Sequence, residues 1–185
     1  MDVKNLNELH RIILTCSNCN LHTTRTNAVP GTGSAKAELM FIGEAPGARE
    51  DLEGKPFIGA AGKILAELLD LIHLSRQQVF ITNVVKCRPP NNRNPSDFEI
   101  STCSEYLFAQ IKYVNPKLIV PLGRFATNYF LPKEPITKVA GILHAVGDYK
   151  VYPLLHPAAS LRRKEYKVRL ETDFKKLPMI LRNAE

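Results

Sequence analysis

Residues 39–62, LMFIGEAPGAREDLEGKPFIGAAG, decide the fold, because they join a buried strand to a helix through a long loop. Leu39 to Ile42 form an apolar run that is typical of a short buried strand. Apolar residues with helical spacing resume after Gly62, at Ile64, Leu65, Leu68, Leu69 and Ile72. Because ligands of open α/β sheets bind beyond the carboxyl ends of the strands, the loop lies where a functional site is expected.

The loop has the composition of an active site. It holds the carboxylates of Glu44, Glu50 and Asp51, several glycines, and an aromatic ring, Phe57, directly after Pro56. A loop that only connects two elements rarely needs this combination of residues. We therefore predict an active-site loop, with a purely structural connection as the alternative.

The length, composition and net charge of the chain limit the class of protein. A chain of 185 residues that is 44% hydrophobic can bury a sizeable core, and we expect a single domain over residues 1–185. The sequence has no apolar run near the ~20 residues that span a bilayer, and its start, MDVKNLNE, has no apolar signal core. We therefore expect an intracellular protein without a membrane partner. The net charge of +7 suits an anionic partner such as nucleic acid.

The four cysteines have the spacing of a metal site. Cys16 and Cys19 are two residues apart, and Cys87 and Cys103 follow far downstream with fifteen residues between them. Four thiolates can hold a tetrahedral zinc ion or an iron–sulfur cluster. The long second gap favours a cluster, and zinc and unligated thiols remain the alternatives. A disulfide framework is disfavoured in a chain without a secretory signal.

Strands and helices alternate along the rest of the chain. The pattern predicts helices over 5–16, after Ser96 and over 164–183, buried strands over 79–85 and 117–123, and a hairpin around Gly147 whose second arm, 151–155, is the last strand. Ser96 and Glu99 form a capping box at the start of the helix that carries Cys103, whose apolar residues Ile100, Leu107, Phe108 and Ile111 should face the sheet. The predicted fold is a three-layer α/β/α sandwich with a mainly parallel sheet of about four strands.

Two polar residues lie at the ends of predicted core strands. Asn83 lies in the β-branched run of residues 79–85, where an amide either bonds a neighbouring backbone group or faces a ligand. His156 follows the last strand and precedes Pro157 and a small-residue turn, after which the cations Arg162 and Arg163 follow. A lone histidine is more often structural, but this context favours a catalytic role.

Three segments of the chain resemble the uracil-DNA glycosylase superfamily, and specifically its family 4. Residues 43–47 (GEAPG), 50–51 (ED) and 54–57 (GKPF) match the first motif of the family, and residues 156–158 (HPA) match the second. The resemblance extends roughly from Cys16 to Arg163. It implies a DNA repair enzyme of base excision repair that flips uracil out of DNA and hydrolyses the N-glycosidic bond, leaving an abasic site.

The resemblance implies a role for each motif residue at the base. Phe57 would stack on the flipped uracil, and Asn83 would bond its N3–H and O4, a pattern that cytosine reverses. His156, as a neutral donor, would stabilise the charge that develops on O2. Backbone N–H groups near Glu44 and Ala45 would assist it.

The group that positions the attacking water is less directly indicated. Some relatives carry an aspartate where this chain has Ala45, and Ala45 has no functional group. Glu44 and Glu50 are the remaining candidates, although Glu50 would alternatively narrow the pocket against the methyl group of thymine. Asp51 is expected to structure the loop.

The resemblance also implies how DNA and a cofactor are bound. Leu161 would enter the DNA as an apolar wedge, with Arg162, Arg163, Lys164 and Arg88 on phosphates. Cys16, Cys19, Cys87 and Cys103 would hold a structural [4Fe-4S] cluster. The expected partner is uracil-containing DNA, single- or double-stranded, with a replication clamp as a candidate protein partner. We expect a monomer in the cytoplasm, associated with the nucleoid. Since residues 88–94 contain no histidine that could trap uracil covalently, we expect turnover.

Two other functions fit parts of the same sequence. One is a nucleotide-binding or nucleotide-modifying α/β protein with a structural metal, in which residues 43–47 would cradle a phosphate. The loop lacks the lysine–serine ending of a Walker motif and the Gly-x-Gly-x-x-Gly order, which disfavours this function. The other is a non-catalytic DNA-binding module that uses the cluster only for folding.

Overall fold

A six-stranded sheet with helices on both faces forms the centre of the protein. The structure is a computed structural model that describes residues 3–183. Its strands are β1 (Thr32–Gly33), β2 (Leu39–Gly43), β3 (Phe80–Asn83), β4 (Leu118–Pro121), β5 (His144–Val146) and β6 (Tyr149–Val151). Its α-helices are α1 (Leu6–Thr15), α2 (Ala48–Glu53), α3 (Ala60–Asp70), α4 (Asp97–Val114), α5 (Arg124–Phe130), α6 (Ile136–Val139), α7 (Pro157–Ser160), α8 (Lys164–Phe174) and α9 (Leu177–Arg182).

The sheet is mainly parallel, as predicted. Its strand order is β1-β3-β2-β4-β6-β5, and the four central strands run parallel to one another. The short strands β1 and β5 add antiparallel edges on either side. The prediction of about four strands therefore describes the parallel centre, whereas the two-residue strand β1 was not predicted.

Alternate residues of the central strands point to opposite faces, and each face has its own core. On β2, Met40 and Ile42 pack with buried residues of α1 and α4. Leu39 and Phe41 pack on the other face with buried residues of α3 and α8. This period-2 alternation of fully buried residues produces the predicted three-layer α/β/α arrangement.

Three details of the predicted elements are wrong. Phe108 does not face the sheet but is 58% exposed, because the buried stripe of α4 passes through Leu107 and Ile111. The regular strand β6 covers Tyr149–Val151 rather than residues 151–155. Its pairing with β4 nevertheless continues to Leu154, since the N–H groups of Tyr152 and Leu154 donate to the carbonyl oxygens of Ile119 and Pro121. The final helix is broken into α8 and α9, with Pro178 in the first turn of α9.

The predicted capping box is present. The Ser96 hydroxyl accepts the Glu99 N–H, and a Glu99 carboxylate oxygen accepts the Ser96 N–H at 2.8 Å. Arg93 holds the same carboxylate with two hydrogen bonds of 2.8 and 2.7 Å. These contacts fix the start of α4 and thereby the position of Cys103. None of the helices within residues 3–183 is long and apolar enough to cross a membrane.

Candidate active site

A cleft of about 530 Å³ opens at the carboxyl ends of β2 and β3. Its lining comes from five separate stretches of the chain: Glu44, Ala45, Pro46, Gly47, Glu50, Phe57, Ala61, Asn83, Pro89, Asn92, Arg93, Asn94, His156, Ala158 and Arg162. The ring of Phe57, the amide of Asn83 and the imidazole of His156, which the sequence predicts to converge, all line it. A sheet edge of this kind is where open α/β folds bind ligands.

Phe57 and Asn83 meet at the end of β2, where Gly43 has no side chain. The parallel register pairs Gly43 with Asn83. A Cβ atom on Gly43 would lie 2.3 Å from the Asn83 amide oxygen and 2.6 Å from Cζ of Phe57. The glycine therefore makes the close approach of the ring and the amide possible.

The Phe57 ring also lies beside His156. The two ring centroids are 5.8 Å apart, with 31° between the ring planes. Phe57 has a left-handed backbone, with φ at 51°. A bulky residue in this conformation is strained, and such strain is typical of functional sites.

His156 is held in one neutral tautomer. It caps helix α7, and its Nδ1 accepts the backbone N–H of Ala158 at 3.2 Å. In the neutral ring the proton is then on Nε2, which is free to donate. Burial lowers the pKa of His156 to about 4, although Glu50 opposes the shift. The imidazole is therefore a neutral donor near pH 7.

The two candidate glutamates differ in their surroundings. Glu50 Oε1 accepts the backbone N–H groups of Ile58 and Gly59, at 2.9 and 2.7 Å. Burial raises the pKa of Glu44, and the nearby Arg124 opposes the shift. Glu50 is thus engaged in holding the turn that follows Phe57.

The two remaining candidates of this loop are Ala45 and Asp51. Ala45 lines the cleft. Asp51 is buried and accepts the backbone N–H groups of Thr26 and Asn27, at 2.9 and 3.3 Å. This carboxylate therefore structures the loop, as expected.

The predicted DNA-contacting residues Leu161, Arg162, Arg163 and Arg88, which we call the rim, belong to or adjoin two segments that line the cleft. Arg162 lines the cleft, and Leu161 beside it is 56% exposed. Arg163 is exposed and lies over the ring of Tyr166 at 5.5 Å. Arg88 donates from Nε to the side chain of Asn92, a residue of the lining, at 2.8 Å.

The four cysteines line one cavity on the α1–α4 side of the sheet. Burial raises the pKa of Cys103 to about 11 and also raises that of Cys87. Within residues 3–183, no three His, Cys, Asp or Glu side chains are close enough to hold a single metal ion. The thiols are thus distributed around a cavity and do not converge on one point.

The chemistry of these donors fits an iron–sulfur cluster. Such a cluster needs four thiolates. Burial alone favours the protonated thiols, as the raised pKa values of Cys87 and Cys103 indicate, but the positive charge of bound iron would favour the thiolates instead. Hydrogen-bond donors to the sulfurs are also present: the Arg25 guanidinium lies 2.9 Å from Cys87 Sγ, and the Lys86 N–H lies 3.3 Å from Cys103 Sγ.

Four cations near the two sites were not identified from the sequence as site residues. Arg25 and Lys86 adjoin the cysteines, Arg124 lies near Glu44, and Arg76 bonds the backbone of Phe57. Lys86 is fully buried and donates to the Thr82 hydroxyl, the Asn83 carbonyl and the Gln110 side chain: the Nζ–O distances are 2.9, 2.5 and 2.6 Å. Lys86 and Arg25 had a local signal, because Lys86 lies between an apolar strand and Cys87 and Arg25 follows Cys19 closely in sequence. Arg76 and Arg124 had none, because they reach their partners through tertiary contacts.

Comparison with known proteins agrees with this geometry. The sequence profile of the uracil DNA glycosylase superfamily matches residues 30–177. A type-4 uracil-DNA glycosylase of Sulfurisphaera tokodaii is 50% identical over 93% of this chain and 83% of that protein. One of Archaeoglobus fulgidus is 46% identical over 95% and 92%, and one of Saccharolobus solfataricus is 51% identical over 88% and 80%. Both the profile and these relatives cover the cleft as well as most of the sheet, and the chain therefore belongs to the type-4 uracil-DNA glycosylases.

Proposed function

We propose that the protein is a uracil-DNA glycosylase that removes uracil from DNA by hydrolysing the bond between N1 of the base and the sugar. The convergence of Phe57, Asn83 and His156 on one cleft carries this proposal. The reaction requires four things: an extruded nucleotide, recognition of the base edge, stabilisation of the leaving uracil anion, and a water molecule.

Base recognition is assigned to Asn83 and Phe57. The Asn83 amide is buried at the end of β3, with 3% of the residue exposed. It would accept from uracil N3–H and donate to O4, whereas cytosine presents an acceptor and a donor at these positions. An unpaired buried amide is costly, so cytosine is rejected. Phe57 provides the face on which the pyrimidine stacks.

Stabilisation of the leaving group is assigned to His156. As the bond to N1 breaks, negative charge spreads over the uracil ring, including O2. The Nε2–H of the neutral imidazole would donate to O2, because Nδ1 is engaged by Ala158. A fixed donor at the point where charge develops lowers the barrier without reorganisation.

Water positioning is assigned to Glu44. Glu50 also lines the cleft, but its Oε1 already accepts two backbone N–H groups. Glu44 lines the same cleft, at the end of β2. An oxocarbenium-like transition state needs an oriented water more than a strong base, and a single carboxylate suffices for this.

The proposed DNA contacts come from two segments next to the cleft lining. Leu161 is an exposed apolar side chain that would fill the gap left by the extruded base. Arg162 and Arg163 follow it in sequence, and Arg88 lies on the loop that supplies Asn92. These cations would bind the phosphates on either side of uracil.

We further propose that Cys16, Cys19, Cys87 and Cys103 hold a [4Fe-4S] cluster with a structural role. When bound, the cluster would tie the segment after α1 to the start of α4 and to the loop after β3. Its support is the arrangement of four thiols around one cavity. Iron and acid-labile sulfide in equal amounts in the purified protein are expected. Zinc without iron would overturn this assignment.

An abasic-site assay tests the glycosylase function. Single-stranded and duplex oligonucleotides that contain one deoxyuridine are incubated with the protein, and abasic sites are revealed by alkaline cleavage. We expect the wild-type protein to release uracil, and we expect Asn83→Ala and His156→Ala to lose this activity. Absence of base release from both substrates by the wild-type protein would leave the nucleotide-binding or DNA-binding functions as the better candidates.

A further inference from the structure

The backbone of the Phe57 turn is held by a residue from a distant loop. Arg76, in the loop between α3 and β3, donates from Nη1 to the Phe57 carbonyl oxygen at 2.9 Å. Its Nη2 donates to the Pro56 carbonyl oxygen at 2.6 Å. One planar guanidinium thus bridges two consecutive carbonyl groups. The ammonium group of a lysine has its donors on one nitrogen atom and cannot reproduce this geometry.

A carboxylate holds the next two residues of the same turn. Glu50 Oε1 accepts the N–H groups of Ile58 and Gly59. Four successive backbone groups, from Pro56 to Gly59, are therefore bonded by two side chains of opposite charge. Arg76 is half-buried: burial lowers its pKa, and the neighbouring Glu50 raises it.

The turn needs such support because its backbone is strained. Phe57 has φ at 51°, a left-handed conformation that costs free energy in any residue other than glycine. The start of α3 packs directly under the turn, since a Cβ atom on Gly62 would lie 1.8 Å from the Phe57 carbonyl oxygen. The strained conformation persists only where the surrounding contacts fix it.

We propose that Arg76 is a positioning residue for the glycosylase reaction, which holds the Phe57 turn in the conformation that presents its ring to the base. This rests on the proposed function of the cleft. Arg76 is absent from the cleft lining and acts through the two carbonyl oxygens.

Steady-state kinetics on uracil-containing oligonucleotides test the proposal. Arg76→Ala should lower kcat by about 100-fold, the order of effect expected for a misplaced site group. KM should change little, because phosphate contacts of the rim supply most of the DNA affinity. Arg76→Lys keeps the charge but bridges only one oxygen, so it should lose most of the same activity. Full activity in Arg76→Lys would overturn the bridging role, and this variant also decides the case if Arg76→Ala does not fold.

Arg169→Ala is the matched control. The Arg169 guanidinium also donates to two backbone carbonyl oxygens, those of Thr137 and Ala140 at 3.1 and 2.9 Å, but away from the cleft. This variant should be destabilised about as much as Arg76→Ala, but its kcat should equal that of the wild type. A similar loss of kcat in both variants would show that Arg76 acts through general stability, and would overturn the proposal.

A double-mutant cycle separates a positioning role from a general one. If Arg76 acts through the ring, Arg76→Ala should cost less than about twofold in kcat when added to Phe57→Ala, since interacting residues are not additive. An equal cost in the wild-type and Phe57→Ala backgrounds would overturn the proposal.

A fluorescence measurement tests the same contact without catalysis. The chain has no tryptophan, so Phe57→Trp introduces a single indole at the turn. Its anisotropy should fall when Arg76→Ala is added and stay unchanged with Arg169→Ala. Unchanged anisotropy in both would overturn the positioning role, whereas absence of uracil release by the wild-type protein would overturn only the proposed function.

Discussion

At the scale of single residues, the Asn83 amide accounts for base selection in the proposed mechanism. Asn83→Asp replaces the amide donor with a second acceptor, which suits the N4 amino group of cytosine. We expect the variant, unlike the wild type, to release cytosine opposite guanine. Uracil release should fall by about 100-fold, because a carboxylate oxygen, which only accepts, then faces the acceptor O4. Both rates are measured with the abasic-site assay.

Asn94→Asp is the control for the added charge. Asn94 lines the same cleft but belongs to the loop before α4. Cytosine release by this variant, or none by Asn83→Asp, would contradict the assignment of the base edge to Asn83.

His156 makes the stability of the protein depend on pH. Burial places its pKa at about 4 in the folded state, below the ordinary value of 6.5. Between these two pH values the unfolded chain binds the proton and the folded protein does not, so the free energy of unfolding falls as the pH is lowered through this window. Above pH 6.5 the ring is neutral in both states and contributes no dependence.

Urea titrations between pH 7 and 4 measure this effect. The fall in unfolding free energy should be smaller in His156→Gln than in the wild type. His10, whose pKa burial and Lys86 also lower to about 4, contributes in the same direction and leaves a residual slope. An identical slope in the two proteins would show that His156 is not buried as a neutral ring.

The sequence predicts those residues whose chemistry shows in their local pattern. Phe57, Asn83 and His156 lie in motifs or at strand ends, and the structure brings them together. Arg76 could not be predicted in this way, because its partners are backbone carbonyls that precede it by about twenty residues. Nothing in the local pattern around a lone arginine in a polar loop indicates a tertiary contact with the backbone.

At the scale of elements, the parallel register of β2 and β3 creates the floor of the cleft. Gly43 pairs with Asn83, and a methyl group on Gly43 would collide with both Asn83 and Phe57. Gly43→Ala should therefore lower kcat/KM by about 100-fold and destabilise the protein by about 1–3 kcal/mol through overpacking. Kinetics and urea unfolding measure the two effects.

Gly147→Ala is the comparison for this prediction. Gly147 lies in the β5–β6 turn with φ at 56°, and nothing lies within 4 Å of an added Cβ atom. It should cost about 1 kcal/mol of stability from backbone strain and leave kcat/KM unchanged. Wild-type activity in Gly43→Ala would show that the ring and the amide have room to move apart.

Helices and strands with a strong local sequence pattern were predictable, whereas the residues at which elements begin and end were predicted less accurately. The capped helix α4 and the strand β2 match the sequence prediction closely, because a capping box and a fully apolar run are local signals. Strand β1 has only two residues and forms by pairing with β3, so no local pattern precedes it. The exposed Phe108 shows that apolarity alone does not fix which face of a helix is buried.

At the scale of the whole molecule, the positive charge should govern DNA affinity. The net charge of +7 includes the rim cations Arg162 and Arg163. Arg163→Ala should weaken DNA binding and reduce the slope of log affinity against log salt by about 1, as for one lost phosphate contact. Arg182→Ala, which removes an equal charge from α9, should leave the slope unchanged. Fluorescence anisotropy at several salt concentrations measures both, and equal slopes in all three proteins would contradict a phosphate contact by Arg163.

The proposed cluster should join the amino-terminal part of the molecule to the rest. Cys16 and Cys19 follow α1, which packs against α4, whereas Cys87 and Cys103 belong to the loop after β3 and to α4 itself. Cys16→Ser should lose iron and the binding energy that supports this junction. The backbone amides of α1 and of the first turns of α4 should then lose protection against hydrogen exchange. The amides of β2, β3 and β4 should remain protected, because these strands are buried between both helical layers.

Ser17→Ala separates loss of a ligand from loss of a neighbour. It changes a residue between the two amino-terminal cysteines but removes no thiol, so iron content and protection should equal those of the wild type. Full protection of α1 in iron-free Cys16→Ser would mean that packing of Leu9 and Ile13, both fully buried, holds the helix without the cluster. The cluster would then act only on the loop after β3, and the glycosylase rate rather than the stability would change on its removal.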